Sequence, residues 1–229
     1  MNAVRNSPAT LINADCFDEF PNIRDGSVDL ILTDPPYAID YQSNRRVVKE
    51  QFDKIENDND TSWIKEFASQ SFRVLKNNRH LYCFCRYDTH GLFFNAFADA
   101  GFSMKRTLVW VKDNHGSGDL TGSYAPRDEW IIFAHKGRRL LQGPRLDNVL
   151  FFPKVASSNL KHPTQKPIPL CKILILKSSF EGEVVFDPFM GVGTVGIAAL
   201  IEKRRFLGIE ITDEYFGISK LNIDAIQVF

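Results

Sequence analysis

A chain of 229 residues with 44% hydrophobic content can bury a sizeable core and suits one α/β domain, 1–229. Lysine plus arginine equal aspartate plus glutamate at 28 each, so net charge neither supports nor excludes a nucleic-acid partner. No apolar run of about 18 residues occurs and MNAVRNSPAT lacks an apolar signal core, which points away from a membrane and to a cytoplasmic location.

In chain order, seven runs rich in branched or aromatic residues read as strands: TLINAD (10–15), VDLILTD (28–34), RHLYCFC (79–85), MKRTLVWVK (104–112), RDEWIIFAHK (127–136), GEVVFDP (182–188) and RFLGIEI (205–211). Helical spacing appears between several of them. In 60–77, Trp63, Ile64, Phe67, Phe72, Val74 and Leu75 recur at helical intervals. The segment 88–101 starts at Asp88 and stops at Gly101. In 167–180 the prolines lie only in the first turn, where a missing N–H costs nothing. Residues 194–204 and 213–226 complete the helices. VDLILTD and EVVFDP are apolar almost throughout, as strands buried on both faces of a parallel sheet are. Alternation of strands and helices predicts a Rossmann-like, doubly wound, mostly parallel seven-stranded sheet. No helix separates 104–112 from 127–136, so these two are expected as an antiparallel pair at one edge.

Of Cys16, Cys83, Cys85 and Cys171, only Cys83 and Cys85 are close, and alternation puts both on one face. No second ligand pair follows them. Reduced buried thiols are expected, and no metal site.

Two stretches carry chemistry. VVFDPFMGVGTVGIAAL (184–200) runs from a buried strand through Asp187 and a glycine turn into a helix. Gly191 and Gly193 permit a tight turn and close backbone approach to a ligand. Glu210 ends the next strand, where a carboxylate can hold ribose hydroxyls. An adenosine-containing cofactor follows. An acidic residue inside the turn would repel a pyrophosphate but attract a cation, which favours the sulfonium S-adenosylmethionine over a nicotinamide dinucleotide.

The other is LILTDPPYAIDY (30–41). Asp34 ends its strand at the carboxyl edge of the sheet, where ligands of open α/β sheets sit. Pro35 and Pro36 stiffen the corner. The Asp34 carboxylate and the Pro35 carbonyl can accept the two hydrogens of a planar amino group, and Tyr37 offers a face for a ring, worth about 1–3 kcal/mol per base. An exocyclic amine on adenine or cytosine is a poor nucleophile, because its lone pair is delocalised. Accepting both hydrogens returns density to the nitrogen.

Together the motifs resemble the amino-methyltransferases of DNA. DPPY (34–37) is similar to their catalytic motif, FDPFMGVG (186–193) to their cofactor motif and HPTQKP (162–167) to the motif preceding the cofactor strand in permuted members. Catalytic motif first and cofactor motif last looks like the β-class adenine enzymes. The resemblance implies a class I methyltransferase fold and methyl transfer from S-adenosylmethionine to the 6-amino group of adenine in DNA, the base being flipped out of the duplex. It implies that Asp34, Pro35, Pro36 and Tyr37 hold the amine. Asp187, Phe189, Gly191, Gly193 and Thr194 would line the cofactor, with Glu210 on its ribose, Thr164 and Lys166 near its methionine end, and Asp15 and Cys16 of NADCFDEF (13–20) beside its adenine.

Residues 136–166 carry a net charge of +6 and are the expected phosphate-binding stretch, through Arg138, Arg139, Arg145, Lys154 and Lys161. Arg45 and Arg46, in the polar segment after the catalytic corner, are further candidates. Only 113–126 and 137–161 are free for target recognition, with the insert set at about 137–161, which predicts a short or relaxed recognition sequence. A monomer or homodimer is expected, with a cognate restriction endonuclease as a candidate partner. The alternatives are methylation of cytosine's 4-amino group or of an RNA base, and a non-catalytic binding module.

Overall fold

The computed structural model describes residues 8–36, 62–115, 121–122, 124–155 and 166–226. Among the described residues nine strands form one sheet: β1 (Ala9–Asn13), β2 (Val28–Thr33), β3 (Leu75–Cys85), β4 (Ser103–Met104), β5 (Leu108–Val111), β6 (Asp128–Lys136), β7 (Val149–Phe151), β8 (Val184–Asp187) and β9 (Arg205–Glu210). Their order is β1-β9-β8-β2-β3-β6-β5-β7, with β4 also on β6.

All seven expected strands are present. The expected strand 104–112 is divided, Met104 ending the two-residue β4 and Leu108–Val111 forming β5, and the three-residue β7 is additional, too short to leave a pattern in the sequence. From β1 to β3 every pairing is parallel, whereas β6 runs antiparallel to β3, β4 and β5. The antiparallel pair β5/β6 is thus one strand in from the edge, because β7 adds in parallel beyond β5.

Among the described residues six α-helices cover the two faces: α1 (Cys16–Glu19), α2 (Ser62–Val74), α3 (His90–Asp99), α4 (Ile168–Ser178), α5 (Thr194–Ile201) and α6 (Asp213–Asp224). Trp63, Ile64, Phe67, Ala68 and Val74 make the buried stripe of α2. With α1 and α3 it covers Ile31, Leu81, Cys83, Cys85 and Phe186. The opposite face of the same strands, through Leu30, Leu32, Tyr82, Phe84 and Val185, packs on α4 and α5. Period-two alternation therefore feeds two cores, and every residue of β2 is buried. Cys83 and Cys85 do share one face. Burial pushes both thiols up, Cys85 to about 12. After α3, Gly101 takes φ +103, and Phe102 N–H donates back to Phe97 O at 3.0 Å, closing the helix.

Candidate active site

Both sequence motifs reach one edge of the sheet because β2 and β8 are parallel neighbours, with Leu30 beside Val185 and Ile31 beside Phe186. Thr33, the last residue of β2, donates its hydroxyl to Asp187 Oδ1 at 2.7 Å. Phe189 N–H donates to the same oxygen at 3.1 Å. Asp187 Oδ2 has no hydrogen-bond partner among the described residues, although the side chain is only 2% exposed. Burial raises the Asp187 carboxyl to about 7, against the pull of those two hydrogen bonds, and the charges of Asp34 and Glu210 add to the rise. Thr33 was not singled out in the sequence, although a hydroxyl ending an apolar run was its visible sign.

Behind Asp187 the chain turns through Gly191 (φ +51) and Gly193 (φ +85) into α5, whose first residue, Thr194, is buried. These glycines differ in what they face. A Cβ on Gly193 would meet Ile223 at 3.1 Å and Ser219 at 3.2 Å, so it serves packing on α6; a Cβ on Gly191 would meet nothing within 4 Å. Gly191 N–H donates to Glu210 Oε2 at 2.9 Å and Thr212 N–H to Oε1 at 2.8 Å, which fixes the Glu210 carboxylate over the turn. Each oxygen retains capacity for a second donor. Asp15 caps α1, accepting from Phe17 N–H at 2.9 Å, and joins the group because Ala14 N–H bonds Glu210 O at 3.1 Å. Cys16 beside it is buried, and its thiol is pushed well up by burial, with Asp15 adding to the effect. Phe189 lies edge-on to Phe67 at 5.3 Å and Trp63 at 6.3 Å, one side of its ring committed to α2.

The acidic side chains Asp187 and Glu210 have no cationic partner among the described residues. Such a pair fits a cationic adenosine cofactor and disfavours a pyrophosphate. The open side of Gly191 leaves room for it. This donor set matches S-adenosylmethionine.

Asp34 is partly buried and paired. Lys166 Nζ lies 2.7 Å from Asp34 Oδ2 and 2.9 Å from Glu129 Oε2, and Lys112 Nζ lies 2.6 Å from Glu129 Oε1. Lys166 is also 5.1 Å from the Phe84 ring centre. Lys166 was expected near the cofactor; its described contacts are to the catalytic corner. Glu129 and Lys112 were missed, though a glutamate in the otherwise apolar EWIIFA of β6 was their signal.

The candidate phosphate contacts do not stay together. Because β6 runs backwards, Lys136 pairs with Arg79 at the opposite edge from Asp34. Arg139 is there too, its side chain 9% exposed and bound to Glu183 Oε1 at 3.3 Å and Oε2 at 3.0 Å. It cannot serve DNA at the catalytic edge. Arg138 is beside it, held by Asn78, and the loop bearing Arg145 is tied to Lys177 in the last turn of α4. Lys154 differs. It follows β7, which ends at the catalytic edge, and its N–H bonds Asp113 at 2.9 Å. Tyr37, Arg45, Arg46, Lys161 and Thr164 lie outside the described residues.

Comparison with known proteins bears on this geometry. A family model described as DNA methylase matches residues 28–221. The DNA adenine methyltransferase YhdJ of Escherichia coli (strain K12) is 30% identical over 253 residues, covering 96% of this chain and 84% of that protein. The type II methyltransferase M2.MboI of Moraxella bovis is 29% identical, covering 92% and 85%. Among solved structures, the M1.HpyAVI–SAM complex aligns with TM-score 0.75 at 24% identity, over 94% of this chain and 99% of that one. The cytosine-N4-specific PvuII DNA methyltransferase aligns with TM-score 0.80 at 17% identity, over 97% and 91%. The last two similarities concern the fold.

Proposed function

Since the chain belongs to the DNA methylase family, we propose that it transfers a methyl group from S-adenosylmethionine to the 6-amino group of adenine in DNA, with Asp34 as the residue that receives the amine. The observation that carries this reading is the Thr33–Asp187 hydrogen bond of 2.7 Å, which ties the catalytic corner to the cofactor turn across two adjacent strands. S-adenosylmethionine supplies a methyl already activated by its sulfonium. The protein's part is alignment and electrostatics.

On this reading the Asp34 carboxylate and the Pro35 carbonyl accept the amine hydrogens and orient the nitrogen lone pair. As the nitrogen gains the methyl it becomes cationic, and Asp34 takes the proton it releases. Pro35 is buried and Pro36 half-buried, which suits a corner whose acceptors must not move. Tyr37 stacks on the flipped base. Asp187, Glu210 and Asp15 hold the cationic cofactor and its adenosine, with Gly191 giving it room. Adenine is preferred over cytosine because the corner reads Asp-Pro-Pro-Tyr, and relatives such as YhdJ are named as adenine enzymes.

Lys154 contributes to the phosphate contacts. The chain acts as one methyltransferase unit with few recognition contacts, so its target sequence is short or relaxed. The deciding experiment incubates unmethylated DNA and, in parallel, RNA with tritiated cofactor and identifies the methylated nucleoside. N6-methyladenine is expected. N4-methylcytosine would overturn the base assignment, label only in RNA would overturn the substrate, and no label in either would leave a binding module.

A further inference from the structure

The four charges around the catalytic corner alternate in sign: Asp34, Lys166, Glu129, Lys112. Successive contacts measure 2.7, 2.9 and 2.6 Å. Lys166 is 5% exposed, so it needs carboxylates to remain an ammonium. Glu129 sits within β6, paired to Trp110 of β5, on a backbone that cannot shift without breaking the sheet. Burial works against its charge, but Lys166 and Lys112 hold its carboxyl below the ordinary range.

We propose that Glu129 is a positioning residue for methyl transfer: it shares the Lys166 ammonium with Asp34, so that Asp34 stays oriented yet remains a competent acceptor for the amine hydrogen. This rests on the role proposed for Asp34. A carboxylate facing an unshared cation in a poorly solvated site is a weak proton acceptor. One whose cation is drawn partly toward a second carboxylate is a better one. The other titratable groups facing Asp34 do not substitute for this balance. Asp187 comes from β8, and the thiols of Cys83 and Cys85 from β3 and Cys171 from α4 are kept neutral by burial. Lys166 is the cation in contact with Asp34 among the described residues.

The arrangement makes two neutralising substitutions act in opposite directions. In Glu129→Gln the ammonium loses one of its two described carboxylates and leans more on Asp34, whose titration midpoint moves down. In Lys112→Met, Glu129 loses one of its two described cations and draws harder on Lys166, the ammonium moves off Asp34 and the midpoint moves up. Carbon-13 NMR titration of Asp34 in the cofactor-free wild type and both variants reads this without any turnover. In single-turnover methyl transfer, Glu129→Gln is expected to be roughly tenfold slower, the equivalent of one unit in Asp34 basicity. Its acid limb should move to lower pH, that of Lys112→Met to higher pH, and Glu129→Asp should recover part of the rate. Midpoints that stay put, or move the same way in both variants, overturn the proposal. So does a Glu129→Asp enzyme no faster than Glu129→Gln. A wild-type chain that transfers no methyl group would count against the proposed function instead, while the NMR midpoints would still decide the coupling.

Discussion

Two buried aspartates occupy opposite ends of the neighbouring strands β2 and β8, and their surroundings differ in kind. Asp29, near the start of β2, accepts from Lys76 at 2.7 Å, Arg79 at 3.1 Å and Val184 N–H at 3.0 Å. Burial opposes its charge, yet these partners hold its carboxyl below the ordinary value. Asp187, at the end of β8, has a hydroxyl and an amide on one oxygen, no cation among the described residues, and a carboxyl raised to about 7. The first is compensated within the fold. The second has no compensating cation among the described residues, as suits the end of the sheet where a cationic ligand binds.

Breaking the chemistry should give the largest effect. Asp34→Ala is expected to reduce methyl transfer by about 10²–10⁴-fold, the usual range for losing a proton acceptor. Tritium transfer measures it, with circular dichroism checking the fold. Activity surviving the change would remove Asp34 from the mechanism.

The same substitution at the two aspartates should then change stability with opposite sign. Asp29→Asn removes the carboxylate that Lys76 and Arg79 share, leaving Arg79 its pair with Glu183, and should cost about 3 kcal/mol in denaturant unfolding. Asp187→Asn should stabilise the cofactor-free protein at pH 8, by on the order of 2 kcal/mol. The sign follows from linkage. The folded value of about 7 lies above that of an unfolded carboxyl, so proton binding favours the fold at low pH and that contribution is lost as pH rises through 7. Two losses of similar size would erase the contrast.

Cofactor affinity sharpens the same point. A cation beside Asp187 requires the ionised carboxylate, so binding should weaken about tenfold between pH 8 and pH 6, and Asp187→Asn should flatten that slope. Calorimetry in buffers of different ionisation enthalpy reads both the affinity and the released proton. The smallest effect separates the two edges for DNA. Lys154→Ala should weaken DNA binding a few-fold and reduce the salt slope by about 1, whereas Arg139→Ala should leave both alone and lower stability. Filter binding across a salt series distinguishes them.

Much of the fold was legible because buried strands and amphipathic helices leave local patterns. All seven expected strands and the five longer helices were found, but β3 begins at Leu75, inside the segment expected as helix 60–77, and β5 begins only at Leu108 of the expected 104–112. The four-residue α1 was missed, since one turn leaves no periodicity. In the site, Asp34, Asp187, Gly191 and Glu210 stood out as polar or flexible residues where strands stop. Glu129 and Lys112 did not, because their importance comes from Lys166, which lies more than thirty residues away in sequence.

The order of motifs, their residue types and the strand-turn-helix shape around each were set by sequence alone, since each depends on near neighbours. The tertiary structure decided which residues meet. Placing β2 beside β8 joined Thr33 to Asp187, and reversing β6 carried Glu129 to the catalytic corner and Arg139 away from it. A basic stretch that is continuous in sequence is divided in space, because an antiparallel strand delivers its two ends to opposite edges of the sheet.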